Sequence, residues 1–249
     1  MNKDRSCQIP EVVRTLAPVE VECVDCALDP MCLLLDYAEH GSGVPEGILL
    51  RRQAVATGER LYQEGQVFEW IYAVKSGSFK SFIAEPGGRE GVVGFYFAGD
   101  LIGAEAIAEQ RYPCGVRALE PSQVCMLRLE HLEQAGRSVE ALQEALIKML
   151  GMEIALSRRV TAALTGQSAE QRLAAFLLSV SERLKNRGFS SLTLTLRMSR
   201  SDIGSYLGLA RETVSRLLMK FQRGGVILLR KKQLRLLDYQ GLARIASHD

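Results

Sequence analysis

Three cysteines near the N-terminus are the residues of this sequence best suited to chemistry. Cys23, Cys26 and Cys32 follow a C-x2-C-x5-C spacing, in a chain with six cysteines among 249 residues. Two thiolates separated by two residues reach the same side of the turn between them, and a third can close the site from the following turn. Structural zinc and iron–sulfur clusters are both bound in this way, and both usually take four protein ligands. The spacing therefore predicts a metal or cluster site that needs one more ligand.

The composition predicts a soluble, cytoplasmic protein. Hydrophobic residues make up 47% of the chain and charged residues 24%. No stretch approaches the roughly 18 apolar residues of a membrane span. The first residues, Met1 to Ser6, are polar and lack the apolar centre of a signal peptide, so we expect no membrane partner. Because the cytoplasm is reducing, clustered cysteines there favour metal binding or redox work over disulfides.

A β-rich module and a long helix are predicted to follow the cysteines. From about residue 49 to 129, short β-type runs alternate with glycine-containing turns, which is typical of an antiparallel barrel or sandwich. Residues 132–164 show a heptad repeat, which predicts a long helix that pairs with a second copy of the chain. The alternative is a helix that is buried against its own domain. The predicted seam consists of Leu142, Leu146, Met149, Leu156, Val160 and Ala163.

Residues 199–222 have the pattern of two short helices joined by a tight turn. Ser199 can cap the first helix, with Asp202 in its first turn, and Gly208 can adopt the left-handed conformation of the turn. This is the pattern of a helix-turn-helix, whose second helix enters the major groove of DNA. Residues 226–237 follow as a two-stranded wing. The candidate DNA-binding residues are Ser199, Arg200, Arg211, Glu212, Ser215, Arg216 and Lys220.

The charge distribution agrees with a nucleic-acid partner. The net charge is only +2, but residues 197–235 contain ten Lys and Arg against Asp202 and Glu212. Such a local excess of positive charge suits a polyanion. Arg216 can pair with guanine, and Glu212 can accept a hydrogen bond from cytosine N4. The tip of the wing, Arg230 to Lys232, is expected to contact phosphates.

In this order the elements resemble the cyclic AMP receptor / fumarate-nitrate-reduction regulator family, and within it the oxygen-sensing FNR branch. The resemblance covers nearly the whole chain, from Cys23 to about Leu242. Besides the cysteine motif, it rests on Tyr72-Ala-Val-Lys-Ser-Gly77, Gly94-Phe-Tyr-Phe-Ala-Gly-Asp-Leu101, Ala118-Leu-Glu120 with Val124-Cys125, Glu170-Gln-Arg-Leu-Ala-Ala-Phe176, and Asp202-Ile-Gly-Ser-Tyr-Leu-Gly-Leu209 with Glu212-Thr-Val-Ser-Arg216.

The resemblance implies an α+β architecture of four parts. An N-terminal arm with the cysteine motif would occupy residues 1–47. A β-roll sensor domain, similar to cyclic-nucleotide-binding domains, would occupy residues 48–131. A dimerisation helix would follow at 132–165 and a winged helix-turn-helix DNA-binding domain at 166–249.

The resemblance also implies what the cysteines bind. Oxygen sensors of the family hold a [4Fe–4S] cluster with three N-terminal cysteines and one from the β module, and the last of these falls on Cys125. Cys114 is the rival, but it precedes the matching stretch. The cyclic-nucleotide branch is disfavoured because residues 112–116 lack an arginine for the nucleotide phosphate. The implied partners are double-stranded DNA, RNA polymerase and a second copy of the chain, and no cyclic nucleotide.

Two departures from the family pattern concern DNA choice and dimerisation. Arg211 before Glu212 is the residue typical of the cyclic AMP receptor branch, whereas Ser215 before Arg216 is the residue typical of the FNR branch. The half-site is therefore FNR-like TTGAT or a sequence that also tolerates the other type. Ser157 stands where the oxygen sensor carries an acidic residue on its dimer helix, which favours partial dimerisation of the cluster-free protein.

The sequence thus predicts a non-enzymatic transcription regulator that senses oxygen through a [4Fe–4S] cluster and binds palindromic FNR-type sites as a dimer. Two alternatives stay open. The same scaffold could carry structural zinc, or no cluster, and respond to another signal. A thiol–disulfide enzyme based on Cys23 and Cys26 is less favoured, because that motif normally lies in a βαβ context that is lacking here.

Overall fold

The computed structural model describes residues 20–22, 26, 51–128 and 167–247, together with the helical positions 144, 147, 148, 150, 151, 154, 155 and 158. Most of the predicted arm and all six predicted seam residues lie outside this described part. Within it, no helix has the length and apolar character needed to cross a membrane.

Residues 51–128 fold into a β-roll of two four-stranded antiparallel sheets. One sheet has the order β1-β8-β3-β6 and consists of β1 (Arg51–Val55), β3 (Ile71–Ser76), β6 (Leu101–Ile102) and β8 (Ser122–Leu127). The other has the order β2-β7-β4-β5 and consists of β2 (Arg60–Tyr62), β4 (Ser78–Ala84), β5 (Glu90–Phe97) and β7 (Gly115–Ala118). A 3-10 helix, Ala104–Ile107, follows β6. The predicted β-rich module is confirmed.

The β4–β5 hairpin turns at one of the glycine-containing turns of the β-rich module. Gly87 and Gly88 have φ values of +88° and +77°. Glycine reaches this left-handed region without steric cost, which explains why the turn falls at this pair.

A second, mainly helical domain follows at residues 167–247. Its helices are α1 (Ala169–Lys185), α2 (Arg200–Leu207), α3 (Arg211–Arg223) and α4 (Tyr239–Ser247), and its strands are β9 (Thr193–Thr195), β10 (Ile227–Arg230) and β11 (Gln233–Leu236). A capping box of Ser168 and Gln171 starts α1. Strands β10 and β11 form the predicted wing, and β9 adds a third strand that the sequence did not predict.

The β-roll packs directly on the helical domain through β5. Val92, Phe95 and Phe97 of β5 belong to the same buried cluster as the apolar faces of α1, α2 and α3. The Phe95 ring lies 5.8 Å from the Phe176 ring of α1 and 5.1 Å from the Tyr206 ring of α2, measured between centroids. The two domains therefore share one apolar core at this contact.

Candidate nucleic-acid interface and cysteine site

Local hydrogen bonds fix the start of α2. The Asp202 amide donates to Ser199 Oγ at 3.0 Å, and the Ser199 amide donates to Asp202 Oδ2 at 2.9 Å. This reciprocal capping box satisfies backbone donors that a helix start otherwise leaves unpaired. Ser199 is therefore the N-cap that the sequence predicts, and it is exposed, whereas its predicted partner in DNA binding, Arg200, is half-buried.

The turn between α2 and α3 is held by close backbone packing. Gly208 has φ +63° and ends α2, as predicted. A Cβ on Gly204 would lie only 2.5 Å from the Leu209 carbonyl oxygen, so the turn needs a glycine at this position. Arg172 of α1 donates to the Leu207 carbonyl oxygen at 2.6 Å. These contacts lock α3 to α2 in one orientation.

The solvent-facing side of α3 brings four of the predicted DNA-binding residues together. Its other side buries Val214, Leu217, Leu218 and Phe221 in the domain core. The exposed side forms a shallow concavity whose lining residues are Arg211, Glu212, Ser215, Arg216, Met219 and Arg223. Met219 and Arg223 were not predicted, although their helical spacing from Glu212 and Arg216 places them on the same face. The arrangement suits insertion into a major groove.

Lys220 differs from the other predicted residues of α3. Its Nζ lies 2.5 Å from Glu170 Oε2 in the first turn of α1, and the side chains are 62% and 29% exposed. The charge of Lys220 is thus paired within the protein in this structure. The wing tip supplies further exposed cations at Arg230, Lys231 and Lys232.

Two of the four predicted cluster ligands lie in the described part of the chain, Cys125 within the β-roll and Cys26 on the arm that packs against it. Cys125 is half-buried in β8, where its neighbours across the sheet are Arg52 of β1 and Ala73 of β3. Cys26 is half-buried and packs against the core of the roll. Cys23 and Cys32 lie outside the described residues. Within the described ranges no three His, Cys, Asp or Glu side chains group as a metal site.

The arm that carries Cys26 is attached to β3. The Val21 amide donates to the Lys75 carbonyl oxygen at 2.9 Å, and the Lys75 ammonium donates in return to the Val21 carbonyl. Lys75 is two residues from Ala73, the residue opposite Cys125. The arm therefore contacts β3, the strand that also neighbours Cys125. Ligation of one cluster by Cys26 and Cys125 would require the arm and β8 to be close in this way.

Cys114 is chemically less suited to bind a metal. Its thiol is buried and lies 3.7 Å from Glu105 Oε1. Burial, assisted by the Glu105 charge, raises the pKa of the Cys114 thiol to about 12. Because metals bind the thiolate, this environment disfavours Cys114 as a ligand and supports the choice of Cys125.

Comparison with known proteins agrees with both halves of this structure. The cyclic nucleotide-binding domain family matches residues 52–138, and the Crp-like helix-turn-helix domain family matches residues 171–245. The chain is 34% identical over 228 residues to the fumarate and nitrate reduction regulatory protein of Escherichia coli (strain K12), which covers 92% of this chain and 91% of that protein. The chain belongs to the CRP/FNR family of transcription regulators.

Further members of the CRP/FNR family are similar over most of their length. The transcriptional activator protein FnrA of Stutzerimonas stutzeri is 34% identical over 236 residues, 95% of this chain and 97% of that protein. Among solved structures, FixK2 from Bradyrhizobium japonicum superposes with a TM-score of 0.72 at 28% identity, covering 80% of this chain and 98% of that one. The predicted family and fold class are confirmed, and the chain is an FNR-type transcription regulator.

Two tyrosines stack in the core of the cyclic nucleotide-binding fold of this CRP/FNR family member. The rings of Tyr62 and Tyr112 stack with centroids 3.7 Å apart, and both residues are almost fully buried. Arg117 of β7 pairs with Glu90 at 2.7 Å and lies over the Phe82 ring at 4.8 Å. The charge of Arg117 is thus paired with a carboxylate of the neighbouring part of the roll.

Proposed function

We propose that the chain is an oxygen-responsive, DNA-binding regulator that holds a [4Fe–4S] cluster with Cys23, Cys26, Cys32 and Cys125. The observation that carries the proposal is that Cys125 lies in, and Cys26 packs against, the β-roll that contacts the helix-turn-helix domain. Similarity to the fumarate and nitrate reduction regulatory protein supports it. When bound, the cluster would supply iron–sulfide chemistry that oxygen attacks.

The described residues explain how ligation would reach the DNA-binding domain. Cys26 comes from the arm and Cys125 from β8, so shared ligation would tie the arm to the roll. The same roll contacts α1 and α2 through Phe95. A change in how the arm is held on the sheet of β3 and β8 would therefore have to pass through the roll to the sheet of β5, which supports the helix-turn-helix.

A second copy of the chain is the proposed partner of the helix between the domains. Ile147 and Ile154 are helical, and their exposed fractions are 69% and 54%. Seven residues bring a helix back to within about 20° of the same face, so the two isoleucines form an apolar stripe. On a continuous helix the predicted seam, Leu142 to Ala163, would lie roughly 140° around the axis from this stripe. We therefore infer that the dimer contact is the seam, and that Ile147 and Ile154 lie outside it.

Dimerisation would place two copies of α3 at two half-sites of a palindrome. Half-sites read in this way are about 34 Å apart, one turn of DNA. We further propose RNA polymerase as a partner, a cytoplasmic location, no cyclic nucleotide ligand, and the four domain boundaries stated from the sequence.

Metal analysis of protein purified without oxygen tests the cluster. We expect a brown protein with iron and sulfide in equal amounts that loses its colour in air. Cys125→Ser should prevent cluster assembly, and the matched variant Cys114→Ala should retain it. Zinc in place of iron would support a structural metal on the same scaffold, and a colourless, metal-free protein would refute both.

A further inference from the structure

A buried ion pair joins the β-roll to the first helix of the helix-turn-helix. Lys80 Nζ in β4 lies 2.8 Å from Asp202 Oδ1 in the first turn of α2, and 3.2 Å from Glu90 Oε2 in β5. The Lys80 side chain is 11% exposed and that of Asp202 is 17% exposed. We propose that Lys80 is a positioning residue for DNA binding, which holds α2, and with it α3, in a fixed orientation on the roll.

Asp202 is the closer of the two carboxylates that contact Lys80, and Glu90 is shared with another cation. Glu90 is also bound by Arg117, whose two terminal nitrogens lie 2.7 Å and 3.0 Å from the Glu90 oxygens. Two cations thus face two carboxylates, and Arg117 already satisfies Glu90. Removing Lys80 takes the cation away from Asp202, and removing Asp202 leaves Lys80 to share Glu90 with Arg117. Either change unbalances the charges of a poorly hydrated site, which is costly.

Asp202 connects the ion pair with Lys80 to the start of α2, and through α2 to the orientation of α3. Burial alone would raise the pKa of the Asp202 carboxyl, but hydrogen bonds from Lys80 and Ser199 outweigh burial and lower the pKa. Asp202 therefore stays ionised while it also completes the capping box of α2. Because Gly204 and Gly208 fix the turn that follows, the orientation of α2 determines that of α3.

We call the ion pair of Lys80 with Asp202 the latch. A hydrogen bond elsewhere in the same domain contact reports directly on whether the latch is formed. The Val92 amide of β5 donates to Ser205 Oγ of α2 at 2.9 Å. This amide has its acceptor in the other domain, so hydrogen exchange at Val92 reports whether the two domains are in contact. The measurement needs neither DNA nor a cluster.

The consequence for DNA binding follows from the geometry of a dimer, and this step rests on the proposed function. Two copies of α3 must meet half-sites at a fixed spacing. A helix-turn-helix that is free to rotate on the roll loses more orientational freedom on binding, and its affinity falls. Loss of the latch should therefore weaken binding to every palindromic site.

A pair of matched variants tests the proposal in the full-length protein. Asp202→Asn removes the charge across the domain contact but keeps an oxygen for the helix cap, whereas Glu90→Gln removes a charge within the roll. We expect Asp202→Asn to lower affinity for an FNR-type palindrome about tenfold and to speed exchange at Val92. Glu90→Gln should keep the affinity within about twofold and leave exchange at Val92 unchanged.

Lys80→Met supplies the second side of a double-mutant cycle. Alone it should match Asp202→Asn, and Lys80→Arg should largely preserve affinity because the charge is kept. The double variant should be no worse than either single variant, since no buried charge is left unpaired. Additive losses, or equal effects of Asp202→Asn and Glu90→Gln on both readouts, would overturn the role of Lys80.

The experimental outcomes that would refute the proposed function differ from those that would refute the latch. If the unmodified protein binds no FNR-type site, the proposed function is wrong, and exchange at Val92 still decides whether the latch exists. If the unmodified protein binds and the Lys80 and Asp202 variants bind and exchange equally well, only the latch is refuted.

Discussion

Lys75 and Glu20 form an ion pair that attaches the N-terminal arm to β3, with 3.5 Å between Lys75 Nζ and Glu20 Oε1. The Lys75 side chain is nearly buried, and its ammonium also donates to the Val21 carbonyl. Glu20 is bridged to Ser76 at the end of the same strand. The arm therefore enters its cysteine segment, which starts at Cys23, from a fixed point on the roll.

Loss of this attachment should make a bound cluster less stable. In Lys75→Met the arm loses its ion pair and the hydrogen bond to Val21, so the segment that carries Cys26 has more freedom. We expect the brown colour of anaerobically loaded protein to fade severalfold faster in air, and the arm to be cut faster by protease. Lys185→Met, on an exposed part of α1, is the control and should behave like the unmodified protein. Equal rates in both variants would show that the cysteines alone hold the arm.

Gly204→Ala should destabilise the DNA-binding domain by about 1–3 kcal/mol, the usual cost of overpacking. The added Cβ would lie 2.5 Å from the Leu209 carbonyl oxygen, and backbone cannot move aside as a side chain can. Gly224→Ala is the matched control, because its Cβ would meet nothing closer than 3.5 Å and its φ of −74° suits any residue. Urea unfolding of both variants measures the difference, and an equal midpoint would contradict the prediction.

The sequence was most informative where structure depends on near neighbours. The capping box of Ser199 and Asp202 and the left-handed turn at Gly208 were predictable, because caps and turns involve residues only a few positions apart. The ion pair of Lys80 with Asp202 was not, since its partners are brought together only when the two domains pack. For the same reason the sequence placed Lys220 among the DNA-binding residues without its partner Glu170, which lies in another helix.

Strand β9 was also not predictable from the sequence, because it depends on a partner strand that is distant in the chain. Thr193–Thr195 is too short to give a clear alternating pattern, and its strand character comes from pairing with β11. The family resemblance supplied Cys125 as a ligand, which spacing alone could not distinguish from Cys114. The physical argument against Cys114, its burial beside Glu105, is visible only in the structure.

Cys114 should be almost inert to alkylation in the folded protein. With its pKa raised to about 12, only about one thiol in ten thousand is ionised at pH 8, and the thiolate is the reactive form. A folded pKa above the unfolded value also means that Cys114 contributes stability at lower pH. That contribution is lost as the pH rises from about 9 toward about 12, because the unfolded chain releases its proton first.

Mass spectrometry after iodoacetamide treatment at several pH values measures this reactivity residue by residue. The same cysteine in urea-unfolded protein is the control and should react readily at pH 8. Rapid modification of Cys114 in the folded protein at pH 8 would show that the thiol is accessible and ionised, and would reopen its candidacy as a ligand.

Glu170→Gln should release Lys220 for a DNA phosphate. In the structure Lys220 is paired with Glu170 at 2.5 Å, so its charge adds little to the field that DNA meets. Without that partner, each chain gains about one phosphate contact, and the slope of log affinity against log salt should steepen by about 1 per chain. Fluorescence anisotropy over a range of salt concentrations measures the slope. A thermal melt checks that α1, whose first turn loses a favourable negative charge, is still folded.

Lys220→Met in the unmodified background separates the two roles of this lysine. If Glu170 keeps Lys220 in the DNA complex, Lys220→Met leaves the salt slope unchanged, and adding it to Glu170→Gln restores the original slope. If Lys220→Met alone flattens the slope by about 1, the lysine leaves Glu170 and contacts phosphate when DNA binds. The second result would restore Lys220 to the interface that the sequence predicted, and would make the pair with Glu170 a feature of the DNA-free protein.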